Sequence, residues 1–140
     1  MRTVFADANY WVALANPKDQ LYPKAIQVSQ TIAGARLVTT DEVLIEFLNH
    51  YSGKGEFLRG KAVEFVHAIN QDPNITVVPQ TRESFRKGLE LYQRRADKGY
   101  SVADCVSMVT MRERGLHEIL TYDHHFTQEE FTVLLSDESP

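Results

Sequence analysis

Residues 2–7, Arg-Thr-Val-Phe-Ala-Asp, decide how the rest of the chain is read. A short apolar run rich in β-branched and aromatic residues predicts a strand over 2–6, and an acid follows it directly. Four further runs of this kind recur, RLVT at 36–39, ITVV at 75–78, EILT at 118–121 and FTVLL at about 131–135. The stretches between them carry helical spacing. Asp7 or Asn9 caps a helix through ANYWVAL. Asn16, with Pro17 at the first helical position, opens a helix that Gly34 stops. Leu44, Phe47, Leu48 and Tyr51 fall at i, i+3, i+4 and i+7, the stripe of a buried helix. Further helices are expected at about 57–70, 82–97 and 102–114. Strands alternating with helices predict an α/β fold with a mostly parallel sheet. No repeat or interdomain linker interrupts residues 1–140, which read as a single domain.

Composition bounds the function. The 140 residues are 43% hydrophobic and carry 15 Lys plus Arg against 19 Asp plus Glu, a formal charge of −4, which speaks against a protein basic all over. The sum conceals an uneven distribution. Residues 123–140 hold Asp123, Glu129, Glu130, Asp137 and Glu138 and no Lys or Arg, so the remaining 122 residues sum to +1. A single cysteine, Cys105, excludes a disulfide framework and a cysteine-rich zinc site and suits a reducing compartment. The cytoplasm is the expected location. No apolar run approaches the ~20 residues of a membrane span, and the P-loop and Gly-x-Gly-x-x-Gly signatures of nucleotide sites are missing.

In an open parallel α/β sheet, ligands bind outside the carboxyl ends of the strands. The crossover helices begin at that same edge. Asp7 follows RTVFA, Asp123 comes two residues after EILT, Glu46 lies early in the helix after RLVT, and Asp104 occupies the first turn of the helix leading into EILT. Each has a structural alternative. Asp7 can be a helix cap, Asp104 forms a capping box with Ser101, Glu46 shares a charged helix face with Glu42 and His50, and Asp123 is a turn residue. Convergence distinguishes the readings, because four carboxylates on one rim raise each other's pKa unless a cation neutralises them. A hard divalent ion such as Mg²⁺ or Mn²⁺ suits an all-oxygen set. Such a site serves phosphodiester hydrolysis by orienting water and stabilising the leaving oxygen.

The segments FADANYWVAL, VTTDEVLIEFLNHY, YSVADCVSMVTM and ILTYDHHF, in this order, resemble the PIN-domain family, and the match spans nearly the whole chain. The resemblance implies a PIN-like five-stranded sheet of order 3-2-1-4-5 and a metal-dependent ribonuclease. Asp7, Glu46, Asp104 and Asp123 would be its catalytic acids, with Asp7, Asp104 and Asp123 binding Mg²⁺ or Mn²⁺. Glu42, one helical turn before Glu46, leaves the second acid open. Asn9, Ser101 and Thr121 stand where the family places polar supports. The family includes toxins of bacterial toxin-antitoxin pairs, often dimers, so an antitoxin protein and a homodimer join RNA as expected partners. Housekeeping RNA processing would need no antitoxin.

Arg82 and Arg86 lie a turn apart in a stretch, 82–98, that is locally +3; phosphate contacts are one reading, a solvated helix face the other. Lys54, Arg59 and Lys61 among Gly53, Gly55 and Gly60 suggest a mobile basic loop. Tyr51, Phe57 and Tyr100 are candidates to stack on unpaired bases, with ordinary packing as the alternative. His124 and His125 invite zinc, but adjacent histidines rarely reach one metal and no His-Glu-x-x-His or cysteine pair supports them. His50, His67 and His117 have no identifiable partner. Two rival classes remain. Receiver-like or haloacid-type phosphotransfer lacks its lysine and its Asp-x-Asp opening, and a non-catalytic RNA-binding or protein-interaction module would not need all four acids.

Overall fold

The computed structural model describes residues 1–136, so Asp137 and Glu138 of the acidic stretch lie outside the described residues. Five strands, β1 (Thr3–Ala6), β2 (Arg36–Thr40), β3 (Ile75–Val78), β4 (Glu118–Leu120) and β5 (Thr132–Val133), form one sheet in the order β3-β2-β1-β4-β5. Every pairing is parallel. Helices α1 (Ala8–Ala15), α2 (Tyr22–Thr31), α3 (Asp41–Tyr51), α4 (Glu56–Gln71), α5 (Arg82–Arg94) and α6 (Val102–Glu113) flank it. The α/β sheet of order 3-2-1-4-5 expected from the sequence is the one observed.

Central position explains the apolar opening run. Val4, Phe5 and Ala6 of β1 are fully buried, as a strand covered on both faces must be. Phe47 of α3 stacks on Phe65 of α4 at 5.2 Å between ring centroids, and Trp11 of α1 meets Phe65 edge-on at 6.1 Å. This aromatic cluster fixes three helices relative to one another. The α5–α6 pair packs closer still: a Cβ built on Gly88 would lie 2.4 Å from Val106 Cγ2.

Several boundaries differ from expectation. No helix begins at Asn16. Its Oδ1 accepts from Lys18 N at 3.0 Å and Asp19 Oδ1 accepts from Leu21 N at 2.8 Å, so two side chains divert the backbone into turns, and α2 starts only at Tyr22 with Pro23 in its first turn. Helix α5 ends at Arg94 rather than 97. The last strand keeps only Thr132–Val133, although backbone bonds from Leu134 to Ile119 and from Leu135 to Thr121 extend the pairing. His124–Glu129 forms a 3-10 turn where only a loop was expected, with Phe126 fully buried as its anchor. Arg59 and Lys61 belong to α4 and not to a loop; Arg59 Nη1 closes back on Ser52 O at 2.7 Å. Among the described residues no helix is long and apolar enough to cross a membrane.

Candidate metal centre

The strand order reverses at β1, whose neighbours β2 and β4 leave the crevice where α/β sheets bind ligands. Asp7 sits at its mouth, 5% exposed, and caps α1 by accepting from Ala8 N at 2.8 Å. Its other oxygen accepts from the fully buried Thr121 hydroxyl at 2.9 Å. The same hydroxyl oxygen accepts from Asn9 Nδ2 at 2.8 Å and from Asp123 N at 3.1 Å. One side chain thereby ties the end of β1, the start of α1 and the turn after β4.

The remaining acids are aimed by equally local devices. Asp123 caps the 3-10 turn through His125 N at 2.9 Å. Asp104 and Ser101 form a reciprocal capping box on α6, with Asp104 N donating to Ser101 Oγ at 3.0 Å and Ser101 N to Asp104 Oδ2 at 3.3 Å. Glu46 stands in the second turn of α3. The capping readings and the convergence reading hold together, because caps of crossover helices belong at this edge. Asp7, Glu46, Asp104 and Asp123, with Asn9, line one cavity of about 310 Å³. Glu42 does not line it, and Asp41 is engaged by Gln80 N at 2.8 Å.

Burial and mutual repulsion shape the electrostatics. Burial, with the charges of Asp104 and Asp123 added, pushes the Asp7 carboxyl up to about 6 against the bonds from Ala8 N and Thr121. Burial and the charges of Asp7, Asp104 and Asp123 push Glu46 up to about 7. Asp104 also rises, chiefly through burial, with Ser101 and His125 opposing. A set of carboxylates so poised binds protons or a cation. Asn9 Oδ1 is buried without a hydrogen-bond partner, and an orphaned amide oxygen beside carboxylates is the donor type a hard divalent ion takes. The residues fit such an ion.

Side chains outside the expected site also enter this cavity. Asp19 and His50 line it; Asp19 was hidden by the expectation of a helix from Asn16. His125 Nδ1 lies 3.4 Å from Asp123 Oδ1 and 3.7 Å from Asp104 Oδ2. His125 is outside the cavity lining and is one of the two histidines that the sequence raised for zinc and set aside. Arg82 and Arg86 do not line the cavity. Arg82 lies over the Phe85 ring at 5.7 Å, and Arg86 pairs with Glu83 at 2.7 Å and Glu90 at 3.4 Å, as on a solvated helix face.

A parallel sheet of order 3-2-1-4-5 with acids gathered at its switch point defines the class, and the chain belongs to the PIN domain family, whose model matches residues 4–131. Among solved structures it is similar to Mycobacterium tuberculosis VapC20, a sarcin-ricin loop cleaving toxin. That match has 23% identity and a TM-score of 0.81, over 91% of this chain and 95% of that one. It also resembles VapBC2 from Rickettsia felis, crystallised with a DNA fragment from its promoter, at 12% identity and TM-score 0.67, covering 94% and 96% of the two chains. FitAcB from Neisseria gonorrhoeae matches at 13% identity and TM-score 0.61, over 93% and 95%. No curated relative matches the chain.

Proposed function

We propose that this protein is a Mg²⁺- or Mn²⁺-dependent endoribonuclease that acts as the toxin of a toxin-antitoxin pair. The observation that carries the reading is the convergence of Asp7, Glu46, Asp104 and Asp123 on one cavity, with Asp7 and Glu46 pushed up to about 6 and about 7. Membership of the PIN domain family and likeness to a toxin that cleaves the sarcin-ricin loop support the substrate class, and likeness to VapBC2 and FitAcB supports an antitoxin partner.

Asp7, Asp104 and Asp123 would hold the ion, with Asn9 Oδ1 beside them. When bound, the ion offsets phosphate charge and acidifies water. Glu46, half-buried and with a raised pKa, takes the proton from the attacking water. Thr121 keeps Asp7 Oδ2 oriented, and the capping box does the same for Asp104. Hydrolysis is in-line, with the 3′ oxygen leaving opposite the attacking water.

Cleavage of a mixed RNA pool with Mg²⁺ or Mn²⁺ tests the proposal against Asp7→Asn and Asp104→Asn. Cutting that survives both substitutions, or that ignores EDTA, overturns the mechanism. If neither RNA nor DNA is cut under any condition, a binding module replaces the enzyme. Growth arrest on expression, relieved by the product of a neighbouring small reading frame, would distinguish a toxin from a housekeeping nuclease, and sedimentation would detect the homodimer.

A further inference from the structure

His125 has a geometry that helix capping and packing leave unexplained. Its backbone N donates to Asp123 Oδ1 at 2.9 Å, and the buried Phe126 beside it anchors the turn. The Tyr100 ring lies 5.2 Å from the imidazole, inclined at 57°. Held in this way, the ring turns Nδ1 inward, where it is inaccessible to solvent and has no hydrogen-bond partner. Yet two carboxylate oxygens face it, Asp123 Oδ1 at 3.4 Å and Asp104 Oδ2 at 3.7 Å. One ligating atom from each of the three residues falls within 4.8 Å of the other two. Around an octahedral ion, adjacent donors stand about 3 Å apart and opposite donors about 4 Å apart. The separations of Nδ1 from the two oxygens, 3.4 and 3.7 Å, lie between these values, which places the three donors within reach of one ion.

We infer that His125 Nδ1 is a nitrogen ligand of the metal centre beside Asp104 and Asp123, and that this mixed donor set selects a transition ion such as Mn²⁺ over Mg²⁺. The inference rests on the reading of the acids as a metal centre and assigns the choice of ion within it. Imidazole suits transition ions, whereas Mg²⁺ prefers oxygen donors and retained water. Nδ1 must then be the unprotonated nitrogen, with the proton on Nε2.

The test uses the whole chain freed of metal by EDTA. Pulsed electron paramagnetic resonance on the Mn²⁺-loaded protein reads nitrogen bonded to the ion directly, without any variant. The expected spectrum carries a strong ¹⁴N coupling that His125→Gln abolishes. Calorimetric titration should show His125→Gln losing at least about tenfold in Mn²⁺ affinity, the scale of even indirect ligand support, while Mg²⁺ affinity changes little. Circular dichroism of the metal-free variant checks its fold. If Mn²⁺ binds with no ¹⁴N coupling and an unaltered Mn²⁺ to Mg²⁺ preference, the inference is overturned and the carboxylate centre stands. If neither ion binds the parent protein, both readings fall.

Discussion

Thr121 Oγ1 donates to Asp7 Oδ2 at 2.9 Å across 114 positions of sequence, inside a region closed to solvent. The same oxygen accepts from Asn9 Nδ2 and Asp123 N while holding the first acid. Thr121→Val keeps the shape and removes all three bonds, which should destabilise the fold by about 1–3 kcal/mol and lower RNA cleavage by about 10–100-fold. Thr121→Ser should recover most of both. Urea unfolding and a cleavage assay measure the two effects.

Metal-free protein should become more stable as the solution is acidified from neutrality. Asp7 and Glu46 have folded-state pKa values of about 6 and about 7, above their ordinary 3.8 and 4.5. The folded state therefore binds these protons more tightly than the unfolded chain, and stability rises as pH falls from about 7 towards about 4. Denaturation midpoints in EDTA at pH 7.5, 6 and 5 check the sign; a midpoint that falls over this range contradicts it. Added Mn²⁺ should lift the midpoint more at pH 7.5 than at pH 5.

Glu46→Gln separates stability from activity. It removes a carboxylate that burial and three neighbouring charges oppose, so metal-free protein at pH 7.5 should gain about 1–3 kcal/mol. Cleavage should fall by at least about a hundredfold, as loss of a proton acceptor implies. A destabilised variant, or one that still cuts at the parent rate, would contradict the role given to Glu46.

A second buried carboxylate has the opposite sign. Burial pushes Glu129 up, but hydrogen bonds from Arg95, Arg112 and Tyr100, at 3.0, 2.7 and 2.9 Å, outweigh it and bring the group down to about 2. Its contribution is present above the ordinary 4.5 and is lost as pH falls through about 2. Glu129→Gln at pH 7 should cost about 2–3 kcal/mol, less than the about 3–5 kcal/mol of a fully buried pair, since the Arg95 and Arg112 side chains are 34% and 44% exposed. Thermal unfolding at pH 7 measures it.

Gly88→Ala should cost about 1–3 kcal/mol, because the new methyl would meet Val106 Cγ2 at 2.4 Å. Combining it with Val106→Ala removes the clash, so the double variant should be less destabilised than the two single costs added together.

Strand identity was legible from short apolar, β-branched runs, even at the edge strand β3, where no residue is fully buried. The runs at 2–6, 36–39 and 75–78 match β1, β2 and β3 within a residue. The acids were legible because capping and chemistry place them at the same edge, so Asp7 and Asp104 satisfy both readings at once. Where a short side chain competes with the backbone, the sequence misled: Asn16 and Asp19 make turns in place of a first helical turn, which concealed that Asp19 faces the cavity. His125 was considered with His124 and set aside, because adjacent histidines rarely reach one metal. Only the tight 3-10 geometry after Asp123 folds its ring back on the acids, and nothing in a pair of adjacent histidines announces that.

The Thr121 hydroxyl has a consequence for synthesis. A ribosome makes Asp7 among the first residues of this sequence and the group that orients it 114 residues later. Until β4 emerges and takes its place beside β1, the first acid has neither its anchor nor the company of Asp123. A nascent chain therefore carries the parts of the pocket before it has the pocket.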